Sequence, residues 1–230
     1  MNFNRNFNYI GNVDTSIIRA RILELPVEQW DADAFRQKRY EVHRDTQTIG
    51  LVFDPDFRHS HPTRLPQLQS FEEGLRPVLD LVADYYEKSP AGQVHVREFG
   101  VGYFVRATLV KLKAGGRISQ HQDNNFSLAH SHRVHVPIIT NPDVRFVVGA
   151  ETVNIRQGEV IEINNRRLHA VHNAGNDDRI HLILDFVLPA EKCCCGRKHH
   201  PDTHCSPHAC METDQLRIPC TCFLETADSS

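Results

Sequence analysis

The chain has 230 residues, a hydrophobic content of 40% and a formal net charge of -3 at pH 7. This length and apolar content suffice for one sizeable core, so we expect a single β-rich domain with appendages rather than two independent domains. The small net charge and the lack of a long basic run argue against a nucleic-acid partner.

The N-terminal segment alternates asparagines with aromatic residues and has no continuous apolar run. It resembles neither a signal peptide nor a membrane anchor, which predicts no membrane partner and a cytoplasmic location. All seven cysteines lie between Cys193 and Cys222. A disulfide scaffold would distribute its bridges through the fold, so this pattern predicts a reduced compartment and a boundary near residue 190.

The first part of the chain mixes strand and helix signals. The predicted elements are a strand at 16–24, a helix at 26–40, a strand at 48–54, a loop at 57–67 and a helix at 70–89. Ser70 and Glu73 form a capping-box pattern at the start of the last helix. Pro77 lies inside that helix and is expected to kink or divide it.

Short β-branched runs separated by turn residues dominate the chain from residue 93. The eight runs are VHVREFG, YFVRATLVKLK, RVHVPIIT, VRFVVG, ETVNIR, EVIEINN, HAVHN and RIHLILDFVLP. They predict a mainly β fold, a double-stranded β-helix of the jelly-roll or cupin-like type with the N-terminal helices packed on it. We expect residues 1–92 to be the N-terminal strand and helix portion of the same domain, 93–190 the jelly-roll core, and 191–230 a Cys/His-rich C-terminal extension.

Two of the predicted strands place polar groups on one face and apolar groups on the other. Residues two apart on a strand share a face, so Arg133 and His135 lie together. On the strand RIHLILDF the same rule groups Arg179, His181 and Asp185. A solvent-facing sheet surface would carry mixed Lys, Glu and Thr, whereas these residues are suited to binding an anion.

His121 and Asp123 form an H-x-D pair, and His169 follows far downstream. Two imidazoles and one carboxylate are the ligand set of non-haem Fe(II) oxygenases. In a chain with 15 histidines an isolated H-x-D pair is a weak signal, and surface decoration is the alternative. His172 and His181 compete with His169 for the third position; the ten-residue spacing from His169 to Arg179 favours His169.

These elements, in this order, resemble the aspartyl/asparaginyl β-hydroxylase family of Fe(II)/2-oxoglutarate-dependent oxygenases. The matching segments are the histidine region near 121, RVHVPI at 133–138, GEVIEINN at 158–165, HAV at 169–171 and the strand RIHLILDF. The resemblance covers roughly residues 105–190. It implies a hydroxylase that uses Fe(II), O2 and 2-oxoglutarate and releases succinate and CO2.

The resemblance also implies roles for single residues. His121, Asp123 and His169 would bind Fe(II) and form the catalytic centre. Arg179 would bind the distal carboxylate of 2-oxoglutarate, and Arg133 and His135 would contact the cosubstrate near the metal. The founding animal members lack the carboxylate ligand, so Asp123 places this chain closer to the bacterial branch, which includes enzymes that act on free amino acids such as proline.

The sequence is compatible with more than one substrate and more than one reaction class. A free amino acid and an aspartyl or asparaginyl residue in a peptide are both compatible with the sequence. A non-catalytic, cupin-like metal sensor or scaffold could use the same ligands, and so could a cupin enzyme that does not use 2-oxoglutarate. Arg179 favours the 2-oxoglutarate enzyme, because a sensor without an anionic cosubstrate does not need it.

The remaining histidines, arginines and cysteines receive other interpretations. His130 and His132 are expected in a loop, solvated or facing the substrate. Arg106, Arg117, Arg145, Arg166 and Arg167 are expected mostly at the surface, with one of them available for a substrate carboxylate. The extension combines thiolates with imidazoles, the ligands that zinc prefers. Its candidate zinc ligands are Cys205, Cys210, Cys220, Cys222, His204 and His208, and a flexible, redox-sensitive extension is the alternative.

Overall fold

Eight strands in the second half of the chain alternate between two antiparallel layers. The computed structural model describes residues 5–31, 41–55, 62–123 and 126–189. The larger sheet contains β4 (Tyr103–Leu112), β6 (His132–Ile139), β9 (Glu159–Ile163) and β11 (Arg179–Val187), and the smaller contains β5 (Arg117–His121), β7 (Val144–Val148), β8 (Glu151–Val153) and β10 (His169–Asn173). This alternation is the topology of a double-stranded β-helix, which confirms the predicted jelly-roll fold.

The N-terminal part of the chain adds strands and helices to the larger sheet. The added strands are β1 (Phe7–Asn12), β2 (Thr46–Phe53) and β3 (Thr63–Arg64), and the sheet order becomes β1-β9-β6-β11-β4-β2-β3. The helices are α1 (Ser16–Glu24), α2 (Val27–Asp31), α3 (Leu68–Glu87), α4 (Pro90–Phe99) and α5 (Phe126–Ala129), with a 3-10 turn at Glu41–His43. Of the helices in these described ranges, none is both long and apolar enough to span a membrane.

Two apolar cores lie on the two faces of the larger sheet. The first joins helix residues such as Ile18 and Phe71 to the outer face of the sheet, for example Val134 and Leu182. The second lies between the two sheets and includes Phe146. Successive side chains of a strand point to opposite faces. Arg133 and His135, which flank Val134 on β6, therefore point toward the smaller sheet. That inner face carries the polar groups discussed below.

Two predicted strands are helices in the structure. Segment 16–24 is α1, in which Ile18 and Ile22 are buried one turn apart. The helical spacing of these buried residues was a better indicator of secondary structure than the apolar run. VHVREFG lies in α4 and the residue that follows it. The Ser89 hydroxyl accepts a hydrogen bond from the Gly92 amide (2.9 Å), and Gly100, at φ 91°, follows the last turn. Both predictions were wrong because local capping and packing outweighed β propensity.

The other predicted elements agree more closely. Strand 48–54 is confirmed as β2, and the predicted helix 26–40 begins as α2, although residues 32–40 lie outside the described residues. Helix α3 runs through Pro77 without division, and it begins at Leu68 with no side-chain cap, so the capping box was wrong. The predicted loop 57–67 contains the two-residue β3, and residues 56–61 are not described. Strand β5 was missed because its only apolar residue is Ile118.

Candidate active site

Three potential metal ligands meet where β5 and β10 pair. His121 is the last residue of β5 and lies opposite His169, the first residue of β10. Asp123 lies two residues after the end of β5. One ligand atom from each residue lies within 4.8 Å of the others, although His121 and His169 are 48 positions apart in the chain. Asp123 and His169 are buried, whereas His121 is partly exposed.

Both histidines are oriented by backbone carbonyl groups. Nδ1 of His121 lies 2.7 Å from the carbonyl oxygen of Ser119, and Nδ1 of His169 lies 2.9 Å from that of Arg167. A carbonyl oxygen only accepts hydrogen bonds, so each Nδ1 donates and each Nε2 keeps its lone pair. This arrangement orients metal-binding imidazoles. Burial is the main factor that lowers the pKa of His169, which favours the neutral, ligating form.

Asp123 is ionised in spite of its burial. Burial opposes ionisation, but the nearby Arg133 guanidinium, followed by His169 and His121, holds the pKa of Asp123 well below its usual range. Oδ2 of Asp123 lies 2.8 Å from Nη1 of Arg133 and 3.9 Å from Nε2 of His169. The cluster therefore offers two imidazoles, each with Nδ1 bonded to a backbone carbonyl, and one carboxylate.

Arg133 is bound by two carboxylates in the structure. Its Nε and Nη2 donate to the two oxygens of Asp185 at 2.9 and 2.8 Å, while Nη1 donates to Asp123. Burial works against its charge, but Asp123 and Asp185 raise the pKa of Arg133 above its usual value. Contact between Arg133 and a cosubstrate therefore stays a prediction. The sequence grouped Asp185 with Arg179 and His181 on the polar face of β11 but gave it no role, and this shared face was the available signal. The structure adds that Asp185 lies opposite Arg133 of β6.

Arg179 is a buried cation that has no carboxylate partner in the described part of the chain. Its side chain is fully buried, and its Nη2 donates to Nδ1 of His181 at 2.6 Å. Its Nε and Nη1 have no hydrogen-bond partner among the described residues. Burial lowers the pKa of Arg179 to about 9, so the guanidinium remains charged near neutral pH. A buried guanidinium with two free donors fits a bound carboxylate.

His135 lies on the inner face between the Arg179 region and the metal ligands. Both ring nitrogens of His135 are buried and have no partner among the residues described. Its ring packs edge-on against Phe146 (5.0 Å between centroids) and lies 5.8 Å from the ring of His181. Burial, followed by the charges of Arg179 and Arg133, lowers the pKa of His135 well below its usual value. A neutral His135 can donate one hydrogen bond to an anion and accept another.

The other candidate residues lie elsewhere. His172 is outside the His121, Asp123 and His169 cluster, and His181 contacts Arg179 instead. His132 is not in a loop: it begins β6 and is buried against the Glu162 carboxylate, with 2.7 Å between Nδ1 and Oε1. His130 is also buried, so it is not solvated.

Two arginines that were expected at the surface are buried. Arg106 forms an ion pair with Asp54, and Arg166 donates to the Asp123 carbonyl at 3.3 Å. Arg117 and Arg145 are exposed, as predicted, and Arg167 is partly buried. The candidate zinc ligands of the extension lie outside the described residues.

The donor set of the cluster and the unpartnered buried atoms of Arg179 fit a divalent metal and an anionic cosubstrate. The family whose model matches this chain agrees with this chemistry. Residues 90–189 match the family described as "Aspartyl/Asparaginyl beta-hydroxylase". None of the curated protein sequences matches this chain.

Solved structures of oxygenases are similar to this chain at low identity. A 2OG-Fe(II) oxygenase family oxidoreductase from Burkholderia pseudomallei is 17% identical, with a TM-score of 0.45, over 77% of this chain and 91% of its own. A Pseudomonas putida prolyl-4-hydroxylase is 13% identical, with a TM-score of 0.47, over 79% and 92%. A viral collagen prolyl hydroxylase from Paramecium bursaria Chlorella virus-1 is 11% identical, with a TM-score of 0.41, over 79% and 95%.

The family match includes every residue of the candidate site. The segment that matches the aspartyl/asparaginyl β-hydroxylase family, residues 90–189, contains His121, Asp123, His169 and Arg179.

Proposed function

We propose that this protein is an Fe(II)- and 2-oxoglutarate-dependent dioxygenase that hydroxylates a C–H bond of an amino acid, free or as an aspartyl- or asparaginyl-type residue in a peptide. The main support is the presence of both the His-Asp-His cluster and the buried guanidinium of Arg179, whose Nε and Nη1 have no partner among the described residues. The combination fits a metal and a dicarboxylic cosubstrate that bind side by side.

Bound together, Fe(II) and 2-oxoglutarate supply the oxidising chemistry, in which one atom of O2 enters succinate as CO2 leaves and the other enters the hydroxylated product. The protein's share is binding, orientation and exclusion of water. Nε2 of His121 and of His169 and the Asp123 carboxylate would hold the metal. Three protein ligands leave coordination positions for the cosubstrate and O2.

The groups that would bind the cosubstrate lie on the inner face of the larger sheet. Arg179 would bind one carboxylate through Nε or Nη1, which have no partner among the described residues, whereas Nη2 is already bonded to His181. His135 lies two residues from Arg133 on β6, and its ring is 5.8 Å from that of His181, the hydrogen-bond partner of Arg179. Its Nδ1 and Nε2 atoms would then contact the part of the cosubstrate that approaches the metal. The burial of these groups strengthens each charged hydrogen bond.

Succinate formation tests the proposal directly. The purified protein would be incubated with Fe(II), ascorbate and 2-oxoglutarate, with free amino acids in one arm and Asp- or Asn-containing peptides in another. We expect succinate to form in step with a hydroxylated product in one of the two arms. His121→Ala is the inactive control. Equal succinate from this variant and the native protein would contradict the proposal.

The extension after residue 190 is expected to be dispensable for turnover. A chain that ends after Pro189 retains the eleven strands of the described residues and the whole candidate site, so we expect its turnover to match that of the full chain. If the extension binds zinc through its thiolates and imidazoles, the shortened chain should lose that zinc. Elemental analysis of both forms provides the measurement, and equal zinc content would exclude a site in the extension.

A further inference from the structure

A buried row of alternating charges ends at the carboxylate ligand. Arg133 lies between Asp123, at 2.8 Å from Nη1, and Asp185, at 2.9 and 2.8 Å from Nε and Nη2. The side chains of the three residues are 12%, 9% and 1% exposed for Arg133, Asp123 and Asp185, respectively. Water screens such charges poorly, so each strongly affects its neighbours.

The same carboxylate oxygen faces the guanidinium and the metal cluster. Oδ2 of Asp123 is hydrogen-bonded to Arg133 and is 3.9 Å from Nε2 of His169. An uncompensated Arg133 would therefore repel a divalent cation and compete with it for the lone pairs of Asp123. The two bonds to Asp185 neutralise that positive charge.

The next cation along the row, Arg106, has a carboxylate partner of its own. Arg106 lies opposite Asp185 in the pairing of β4 with β11, and it forms an ion pair with Asp54. With that pair neutral, the group of Asp123, Arg133 and Asp185 has a net charge of minus one. Without the Asp185 charge the same group would be neutral, and a metal would lose most of the attraction that a carboxylate ligand provides.

We propose that Asp185 is a positioning residue of the metal centre: it neutralises and orients Arg133, so that Asp123 keeps its full negative charge for a bound divalent cation. This inference rests on the metal site of the proposed function. It gives Arg133 a role toward the metal ligand Asp123, to which Arg133 is hydrogen-bonded in the structure. Asp185 acts through Arg133 and has no contact with the metal position.

Cobalt titration of four forms of the full chain tests this role without turnover. The forms are the native protein, Asp185→Asn, Arg133→Gln and the double variant, and the readouts are the Co(II) dissociation constant and the visible cobalt spectrum. We expect Asp185→Asn to weaken Co(II) by about 10- to 100-fold, as loss of a partner of a metal ligand does. In the Arg133→Gln background, the same change should alter affinity by no more than about twofold, because no cation remains to be neutralised.

The background dependence separates charge compensation from a merely structural role. Damage to packing would lower Co(II) affinity in both backgrounds, and that outcome would overturn the inference. If Asp185→Asn alone fails to fold in a thermal unfolding measurement, the comparison of Arg133→Gln with the double variant still decides: equal affinity supports the inference, and a tenfold loss contradicts it. Asp80→Asn, at an exposed position of α3, is the control and should bind like the native protein.

The same titration distinguishes two failures. Equal Co(II) affinity of the native protein and Asp185→Asn overturns this inference alone. No Co(II) binding by the native protein overturns the proposed function as well.

Discussion

Replacement of either candidate imidazole ligand, His121→Ala or His169→Ala, is expected to weaken divalent metal binding by more than about a hundredfold and to abolish turnover. The loss of a residue that merely supports a ligand already costs about 10- to 100-fold in metal affinity, and these residues would donate to the metal themselves. Their Nε2 atoms are left free by hydrogen bonds from Nδ1 to backbone carbonyls. Titration of Fe(II) under anaerobic conditions measures the effect.

His172→Ala is the matched control for the metal prediction. His172 lies on β10 with His169, three residues away, and is not part of the cluster. Its replacement should leave Fe(II) affinity close to the native value, while far-UV circular dichroism confirms that all variants are folded. If His172→Ala lost the metal and His169→Ala retained it, the ligand assignment would move to His172.

Arg179→Ala is expected to weaken 2-oxoglutarate binding by roughly 30- to 4,000-fold while Fe(II) binding stays nearly intact. Removal of one partner of a buried, hydrogen-bonded charge pair costs about 2–5 kcal/mol, which corresponds to that range of affinity. Arg179 is fully buried, and its Nε and Nη1 have no partner in the described part of the chain. It contacts none of the three metal ligands in the structure, so the metal site should be spared.

Titration of 2-oxoglutarate into the anaerobic, iron-loaded variants checks this expectation. Arg179→Lys should recover only part of the affinity, because an ammonium group cannot reproduce the planar pair of donors. Arg145→Ala is the control: Arg145 is an exposed strand residue whose Nη1 bonds to the Pro142 carbonyl oxygen at 2.7 Å. Native-like 2-oxoglutarate affinity in Arg179→Ala would remove the main support for a 2-oxoglutarate enzyme.

The sequence alone determined the β-rich fold and the two faces of the strands around the site. Seven of the eight predicted runs after residue 93 are strands in the structure. The alternation on β6 and β11 correctly separated Arg133, His135, Arg179 and His181 from the apolar face. These features follow from a two-residue period, which is local and can be read without knowledge of distant contacts.

Sequence patterns did not determine whether short apolar segments form helices or strands. Residues 16–24 and VHVREFG both contain β-branched residues, yet they form α1 and part of α4. In α1 the burial of Ile18 and Ile22 against the sheet stabilises the helical conformation. Such packing comes from residues distant in the chain, so tertiary contacts override propensity here.

The tertiary structure alone decided which polar residues are partners. The family resemblance implied contact between Arg133 and the cosubstrate, which stays a prediction. The fold brings Arg133 between Asp123 and Asp185, 10 and 52 positions away. The sequence also treated Arg106 as a surface residue, and the fold pairs it with Asp54. A strand period states which face a side chain occupies, but the charge opposite it depends on strand order and register, and these are set by the whole fold.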